Sequence, residues 1–518
     1  MRAFVAGSIV LTASFVNFVT FYSYPLLTCE VGILIAGALA LAAGVALLYS
    51  GQRFWGRAVL DAMLLFLIID LHFDRPYIAA LACVAVLGVL FLKKASLLPL
   101  FTISGTIVFA ASIFGLSERR EWIETHKGTQ SGPRVQKPAI IHLLLDEQIG
   151  IRGAALGRGG MGNSEDVLRN SYLSNGFTVY ERAYARHIQT INSIPDILNL
   201  GGPSSATGSK RGAVMGPNQY FRALISEGYQ LKILQSDFFD YCARAVYASC
   251  TSYLSPSPQL LPRFLPDAAD RTVLLLYKFV SLSDALAGAT TAYKVTARLL
   301  GRRGKMLLAK RGQRTNTITA YAAMDRLKHE LKSTQMGEVY FAHLLLPHDP
   351  YIFGSNCQVR PRRDWLYRHA GVSLPARERA YAEQMACTTK KVGELLEALA
   401  STPAGRNAIV IVHGDHGSRI VTEEPLTSSI GRFTQADLVA GFSTLFAIRL
   451  PGQAGRVVST PVSVPTLLKS MLAADFAAAK EPVPTEQTGR VFISDDDWRP
   501  AAKTTLPREW LGTGKTPS

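Results

Sequence analysis

None of the chain's 6 cysteines forms a Cys-x-x-Cys pair or a zinc-finger spacing, which removes the redox-motif and structural-zinc readings. A working phosphate loop is missing too: Gly-Thr-Gly-Lys-Thr at 512–516 has Glu509 where the first glycine is required, and no strand precedes it. Acidic residues are few, 39 against 55 Lys and Arg, for a net charge of +16. Charge of either sign is scarcest in residues 1–116, which carry only Arg2, Arg53, Arg57, Arg75, Lys93 and Lys94 against Glu30, Asp61, Asp70 and Asp74. The remainder therefore holds +14 of the +16. Overall hydrophobic content, 48%, is high for a soluble protein.

What fills the charge-poor region is apolar length. Runs at 3–22, 31–50, 55–73, 76–92 and 96–116 each approach the ~20 residues a bilayer core requires, so five transmembrane helices are expected in residues 1–116. Arg2, Arg53, Arg57, Lys93 and Lys94 fall on one side of these spans, and Glu30, Asp70 and Asp74 with Arg75 mostly on the other. The positive-inside rule then puts the N-terminus in the cytoplasm, and an odd number of spans puts the chain beyond 117 in the periplasm or outside. The expected protein is multi-pass and integral to the inner (plasma) membrane. A signal peptide competes for the first run, but no small-residue cleavage site follows it. Asp61, inside a span, reads as a bundle-interior or interface residue.

The outer part holds Cys242, Cys250, Cys357 and Cys387, where disulfides persist, while Cys29 and Cys83 sit in or beside the membrane. Cys242 with Cys250 and Cys357 with Cys387 is the favoured pairing because the first two are close in sequence, although four cysteines allow three connectivities. The basic outer surface suits anionic phospholipid or lipopolysaccharide; part of the charge is solvated surface, and nucleic acid is not an expected partner.

Residues 117–137 are charged and irregular and read as a linker. Beyond them, apolar runs at 138–145, 229–235, 338–346, 408–412 and 443–449 alternate with helical patterns such as 376–400. This predicts an α/β sandwich with a largely parallel central sheet over 138–480. Residues 481–518 read as an irregular tail. The apolar stretch from 272, followed by Arg-Arg-Gly-Lys-Met-Leu-Leu-Ala-Lys-Arg at 302–311, fits either an anionic membrane surface or a helix packed on the domain; Lys278 and Asp284 argue against another span.

Chemistry gathers at the strand ends. The strand 408–412 runs into His413-Gly-Asp415-His416-Gly-Ser-Arg419, so a carboxylate and an imidazole leave the sheet at a carboxyl end, where open α/β sheets carry their sites. Gly414 and Gly417 are read as allowing a tight turn. The first strand ends in Asp146-Glu147; because alternate side chains point oppositely, one of the two is expected as the principal ligand. Thr190-Ile-Asn-Ser193-Ile-Pro195 opens an apolar helical pattern, where a hydroxyl caps the helix or serves as a nucleophile at its positive end. A hydroxyl needs a metal to activate it, and Asp146, Asp415 and His416 would hold one. His343-Leu-Leu-Leu-Pro-His348-Asp-Pro-Tyr351 supplies two imidazoles for a second metal or a phosphoryl group, one of them with a fair claim to be structural. His142, within its strand, reads as a core residue. Alone, Asp415-His416 also fits a polar strand-end turn and Asp146-Glu147 an exposed strand-end acidic pair.

Together, Leu-Leu-Leu-Asp146-Glu147, Thr190-x-x-Ser-x-Pro, His343-x-x-x-Pro-His348-x-Pro-Tyr and Gly-Asp415-His416-Gly-x-Arg419 resemble the alkaline phosphatase/sulfatase superfamily. The likeness is strongest to its membrane-anchored branch of phosphoethanolamine transferases and lipoteichoic acid synthases, and covers about 138–450. The resemblance implies Thr190 as covalent nucleophile and as a metal contact. It implies Asp146, Asp415 and His416 as ligands with Glu147 in reserve, one or two zinc or manganese ions, and His343, His348, Ser193 and Arg419 as substrate contacts. Two departures stand out. The sulfatase pattern Cys/Ser-x-Pro-x-Arg fails because Ile197 replaces the arginine, which disfavours sulfate esters, and Asp146-Glu147 replaces the transferases' Gly-Glu. The expected function is metal-dependent transfer of phosphoethanolamine from a membrane phospholipid to an envelope lipid or glycan through a phospho-threonine. A hydrolase of the same fold and a non-catalytic envelope protein are the alternatives.

Overall fold

The structure is a computed structural model. It describes residues 2–52, 56–58, 61, 97, 99, 102–103, 106–107, 109–110, 119–130, 132, 134–156, 160–203, 206–207, 212–255, 257–281, 315–368, 371–476 and 488–512. It divides into two compact units, Met1–Trp122 with Ser255–Thr315, and Ile123–Leu254 with Asn316–Ser518.

The first unit is helical. Helix α1 (Arg2–Phe21) and helix α2 (Cys29–Gly51) coincide with the first two expected spans, and among the described residues these are the two helices long and apolar enough to cross a membrane. The expected spans at 55–73, 76–92 and 96–116 fall largely outside the described residues. Asp61, buried, accepts a hydrogen bond from the Leu97 backbone N–H at 3.0 Å. Residues 255–315, expected within the α/β domain, group instead with the N-terminal helices.

The second unit is built on one nine-stranded sheet: β1 (Ile123–Lys127), β2 (Ile140–Leu145), β3 (Thr178–Tyr180), β4 (Gln230–Ser236), β5 (Ser249–Tyr253), β6 (Glu338–Leu344), β7 (Ile409–Gly414), β8 (Phe446–Arg449) and β9 (Val457–Val458). The spatial order is β1-β5-β4-β6-β2-β7-β8-β3-β9. Its centre, β5-β4-β6-β2-β7, is all parallel, and antiparallel pairs occur only toward the edges. Every residue of β2, β6 and β7 is buried, so both faces are covered, as their unbroken apolar runs require. Helices α3 (Thr190–Leu198), α4 (Gln219–Ser226) and, late in the chain, Val464–Ala473 share a core with Ile140, Leu144, Phe341 and Ile411. The helices Asn316–Leu331 and Leu374–Leu399 pack on each other, and the former also packs on β6.

Two expectations need correction. The stretch 117–137 is not all linker: β1 pairs antiparallel with β5, with Thr125 opposite Thr251 and their hydroxyls 3.0 Å apart. The tail, over its described residues 488–512, is not irregular. Arg490–Ser494 and Pro500–Thr505 form an antiparallel hairpin, and Trp510 is buried against Tyr184 and Val491. Its alternation of Val491 and Ile493 with polar neighbours is too short to outweigh the surrounding Pro and Thr when read along the sequence.

Candidate metal and nucleophile site

The site begins with parallel register. Gly414 of β7 pairs with Leu145 of β2, and Leu344 of β6 pairs with the same residue, so Asp146, Asp415 and the chain after His343 leave three neighbouring strands at one level. Gly414 and Gly417 do not adopt left-handed backbone, contrary to the tight-turn reading. Close approach excludes side chains there. A Cβ on Gly414 would lie 2.5 Å from the Gln148 carbonyl oxygen, and one on Gly417 would meet the Ala440 carbonyl.

Asp415 and His416 are fully buried. The Asp415 Oδ1 accepts from the backbone N–H groups of Glu147 (3.1 Å) and His416 (2.9 Å), while its Oδ2 lies 3.1 Å from His416 Nε2. Burial works to raise the Asp415 carboxyl, but the neighbouring His416 charge outweighs it and holds the group well below the usual carboxylate range. His416 Nδ1 is 2.9 Å from the Gly417 carbonyl oxygen, which fixes the ring and turns Nε2 inward. Thr190 is the first residue of α3; Gln189 takes the N-cap place. The Thr190 hydroxyl, buried, sits 3.2 Å from His416 Nε2, at the end of the helix where partial positive charge gathers.

Ligand atoms of Asp146, Asp415 and His416 lie within 4.8 Å of one another. Asp146 Oδ1, Asp415 Oδ2 and His343 Nε2 are buried atoms with no hydrogen-bond partner among the described residues. Buried polar atoms are rarely left so, and the carboxylates of Asp146 and Asp415, clustered with His416, fit a bound cation. Two carboxylates, an imidazole and a hydroxyl are a donor set for zinc or manganese.

Glu147 does not point away from Asp146. It leaves β2 in the left-handed region, φ 64°, so the alternation of a regular strand no longer applies and both carboxylates serve the site. Its Oε1 is ion-paired with Arg368 and with Arg419 (Nη2, 2.5 Å) and lies 3.5 Å from His348 Nε2, while its Oε2 has no partner among the described residues. Burial would raise this carboxyl, yet His348, Arg368 and Arg419 hold it at about 2. Arg419 is itself left-handed at φ 50° and donates to Gln189 Oε1 at 2.8 Å. Ligand atoms of Asp146, Glu147 and His348 also cluster, but two guanidiniums on the Glu147 oxygen make that a poor place for a second cation.

The other expected residues divide. His343 Nδ1 is 3.0 Å from the Tyr241 hydroxyl, and its Nε2 faces Asp146 Oδ2 at 3.5 Å. His348 is partly exposed, with Nδ1 2.6 Å from the Asp349 carbonyl. Ser193, expected as a substrate contact, instead donates to the Asp415 carbonyl at 2.5 Å and is fully buried. Arg419, likewise expected on substrate, is spent on Glu147 and Gln189. His142 is a core residue, its Nε2 2.7 Å from His413 Nε2 and its Nδ1 2.9 Å from the Tyr220 hydroxyl. The disulfides are Cys242–Cys250 and Cys357–Cys387.

Sequence reasoning missed Arg368, Tyr241, Tyr381 and Gln384. Arg368 stands in a loop crowded with Arg360, Arg362 and Arg363 and carries no local mark. The Tyr381 hydroxyl donates to the Glu147 carbonyl at 2.7 Å and accepts from the Ile149 N–H at 2.9 Å, clamping the left-handed turn. Gln384, one helical turn on, donates to the His348 carbonyl at 2.9 Å and accepts from the Ile352 N–H at 2.8 Å, holding the His348 loop.

No family model and no curated protein matches the chain. Its structural likenesses fall among sulfatases, an alkaline phosphatase superfamily protein from Vibrio parahaemolyticus and a periplasmic domain from Escherichia coli. The chain is similar to the zinc complex of the C-terminal periplasmic domain of EcEptC from Escherichia coli, with 11% identity, 76% of this chain and 99% of that one covered, and a TM-score of 0.39. It is also similar to the phosphonate monoester hydrolase of Agrobacterium radiobacter, with 13% identity, 69% and 80% covered, and a TM-score of 0.40. For a sulfatase from the glycosaminoglycan locus of Bacteroides thetaiotaomicron the figures are 13%, 71% and 83%, and 0.42. At such identities and scores the functional reading rests on the chain's own residues.

Proposed function

We propose that the protein is a membrane-anchored, metal-dependent enzyme of the sulfatase-like kind that transfers a substituted phosphoryl group, phosphoethanolamine being the expected one, from a membrane phospholipid to an envelope lipid or glycan. The observation that carries this reading is the buried cluster of Asp146, Asp415 and His416 ligand atoms beside a hydroxyl at a helix N-terminus. Asp146, Asp415 and His416, with the Thr190 hydroxyl, would hold the ion. Bound there, it would lower the pKa of the hydroxyl and offset the charge that builds on the phosphoryl oxygens.

The Thr190 hydroxyl gives up its proton and its oxygen bonds to phosphorus as the phosphorus–oxygen bond to diacylglycerol breaks, the departing oxygen taking up a proton in exchange. The acceptor hydroxyl then bonds to the same phosphorus, loses its proton and frees Thr190. His348, partly exposed at the rim, suits proton delivery to the departing oxygen, and His343 suits contact with the phosphoryl group. The disulfides suit an extracytoplasmic domain, and α1 and α2 suit a membrane anchor.

The test is Thr190→Ala in the full-length protein, with labelled phospholipid and elemental analysis. The expected result is loss of turnover by roughly a thousandfold or more with bound metal retained. Turnover at the unaltered rate would sink the mechanism. Label that reaches only water as free phosphoethanolamine would turn the reading into a hydrolase.

A further inference from the structure

The helical unit contains an element that comes from far along the chain. Helix α5 (Ala268–Ser281) belongs to the unit of α1 and α2, although β5 ends at Tyr253 and the next residues of the α/β unit begin at Asn316. Its first turns are polar, with Asp267 just before it and Asp270 and Arg271 within it, and from Thr272 it is apolar apart from Lys278.

Two contacts fix how it lies within the unit. Arg271 Nε and Nη2 donate to Glu30 Oε1 and Oε2 at 2.8 and 3.1 Å, and the Tyr24 hydroxyl donates to Glu30 Oε1 at 2.5 Å, so the start of α5 is pinned to the start of α2. Further along, the Phe279 ring lies 5.3 Å from Phe15 and 5.5 Å from Phe18 of α1. From Arg271 to Phe279 a helix rises about 12 Å, and Phe15 lies about 9 Å back along α1 from its final residue, Phe21. Helix α5 therefore runs along α2 from the end that carries Glu30, and its Phe279 reaches Phe15 and Phe18 of α1. A helix resting on the membrane surface would cross α1 near its end and meet neither phenylalanine.

The side chains agree with this path. Leu274, Leu275 and Tyr277 are buried, whereas Val273 (42%) and Leu276 (45%), three residues apart on one face, are exposed. Apolar side chains on α2 are exposed in the same way: Ile33, Leu41, Leu47 and Leu48. An exposed apolar face on a helix packed beside a spanning helix, beneath a polar first turn held by a buried ion pair, matches hydrocarbon below an interface.

We infer that α5 enters the bilayer alongside α1 and α2, with Val273 and Leu276 against lipid acyl chains. The α/β unit would then be tied to the membrane through its own middle as well as through its N-terminal connection. The inference rests on the reading of α1 and α2 as membrane spans.

The test is electron spin resonance on the full-length protein in phospholipid bilayers, with Cys29 and Cys83 replaced by Ala and a nitroxide placed singly by Val273→Cys, Leu276→Cys or, as reference, Leu41→Cys. Collision with oxygen and with a water-soluble nickel chelate is measured. The expected result is that all three sites collide more often with oxygen than with nickel. If Leu41 favours oxygen and Leu276 and Val273 favour nickel, α5 lies in water and the inference fails while the spans stand. If the α5 sites resist both agents, they are packed in protein and the inference fails too. If Leu41 itself favours nickel, the spans and the inference fall together.

Discussion

Among the described residues, no guanidinium meets the carboxylates on the Asp146 side of the site, and three buried carboxylate and imidazole atoms there have no hydrogen-bond partner; on the Glu147 side two guanidiniums and an imidazole surround one carboxylate oxygen, and Oε2 alone has no partner. The two residues are neighbours in sequence and equally buried. Charge balanced within the protein supports the fold, and charge left open destabilises the fold until a ligand arrives. The Asp146 side is therefore read as the place where the cation binds, and the Glu147 side as the frame that holds it.

The largest expected effect comes from unbalancing the frame. Arg368→Ala leaves Glu147 short of a partner and is expected to cost about 3 to 5 kcal/mol, measured by denaturant unfolding. Asp146→Asn in chelator-treated protein is expected to leave the midpoint unchanged or raise it. If both variants lose stability alike, the contrast between the sides is wrong.

The Cys357–Cys387 disulfide ties the loop after His348 to the helix Leu374–Leu399. Replacing both cysteines with serine should cost about 2 to 4 kcal/mol and loosen the Glu147 side alone. Elemental analysis should find the metal content unchanged.

Chelation acts on the other side. With free metal at about a hundred times its dissociation constant, removing it should cost about 2.7 kcal/mol. Asp415→Asn should abolish that difference, which unfolding with and without chelator would read.

Acid sensitivity comes from three further buried histidines and adds across them. Burial drives His142 well below its usual value, and burial with smaller charge effects takes His187 and His413 to about 4. Below the unfolded value near 6.5 the unfolded chain gains protons that the folded chain refuses. Stability is thus full above that pH and falls as pH drops toward 4, by at most about 1.4 kcal/mol per unit for each histidine. A titration of unfolding midpoints from pH 7 to 5 that stays flat would contradict this.

Much of the sheet and part of the site could be read along the chain. The expected strands at 138–145, 338–346 and 408–412 match β2, β6 and β7 within a few residues because strands buried on both faces are rich in apolar residues, and 229–235 matches β4, whose first residues alternate buried and half-buried. Asp146, Asp415, His416 and Thr190 were visible because each directly follows a strand or opens a helix. The edge strand β1 and the hairpin at 490–505 escaped notice because exposed, charged or Thr-rich strands lack such runs.

The sequence by itself determined which residues stand at strand ends and helix starts, since apolar periodicity sets where regular structure stops. Only the tertiary structure decided what those residues do for one another. Ser193 turned inward to the Asp415 carbonyl, Arg419 closed on Glu147, and Arg368 arrived from a loop more than 200 residues away to balance it. The physical reason is that hydrogen bonds and ion pairs depend on distances of about 3 Å, and only the folded chain sets distances between groups so far apart in sequence.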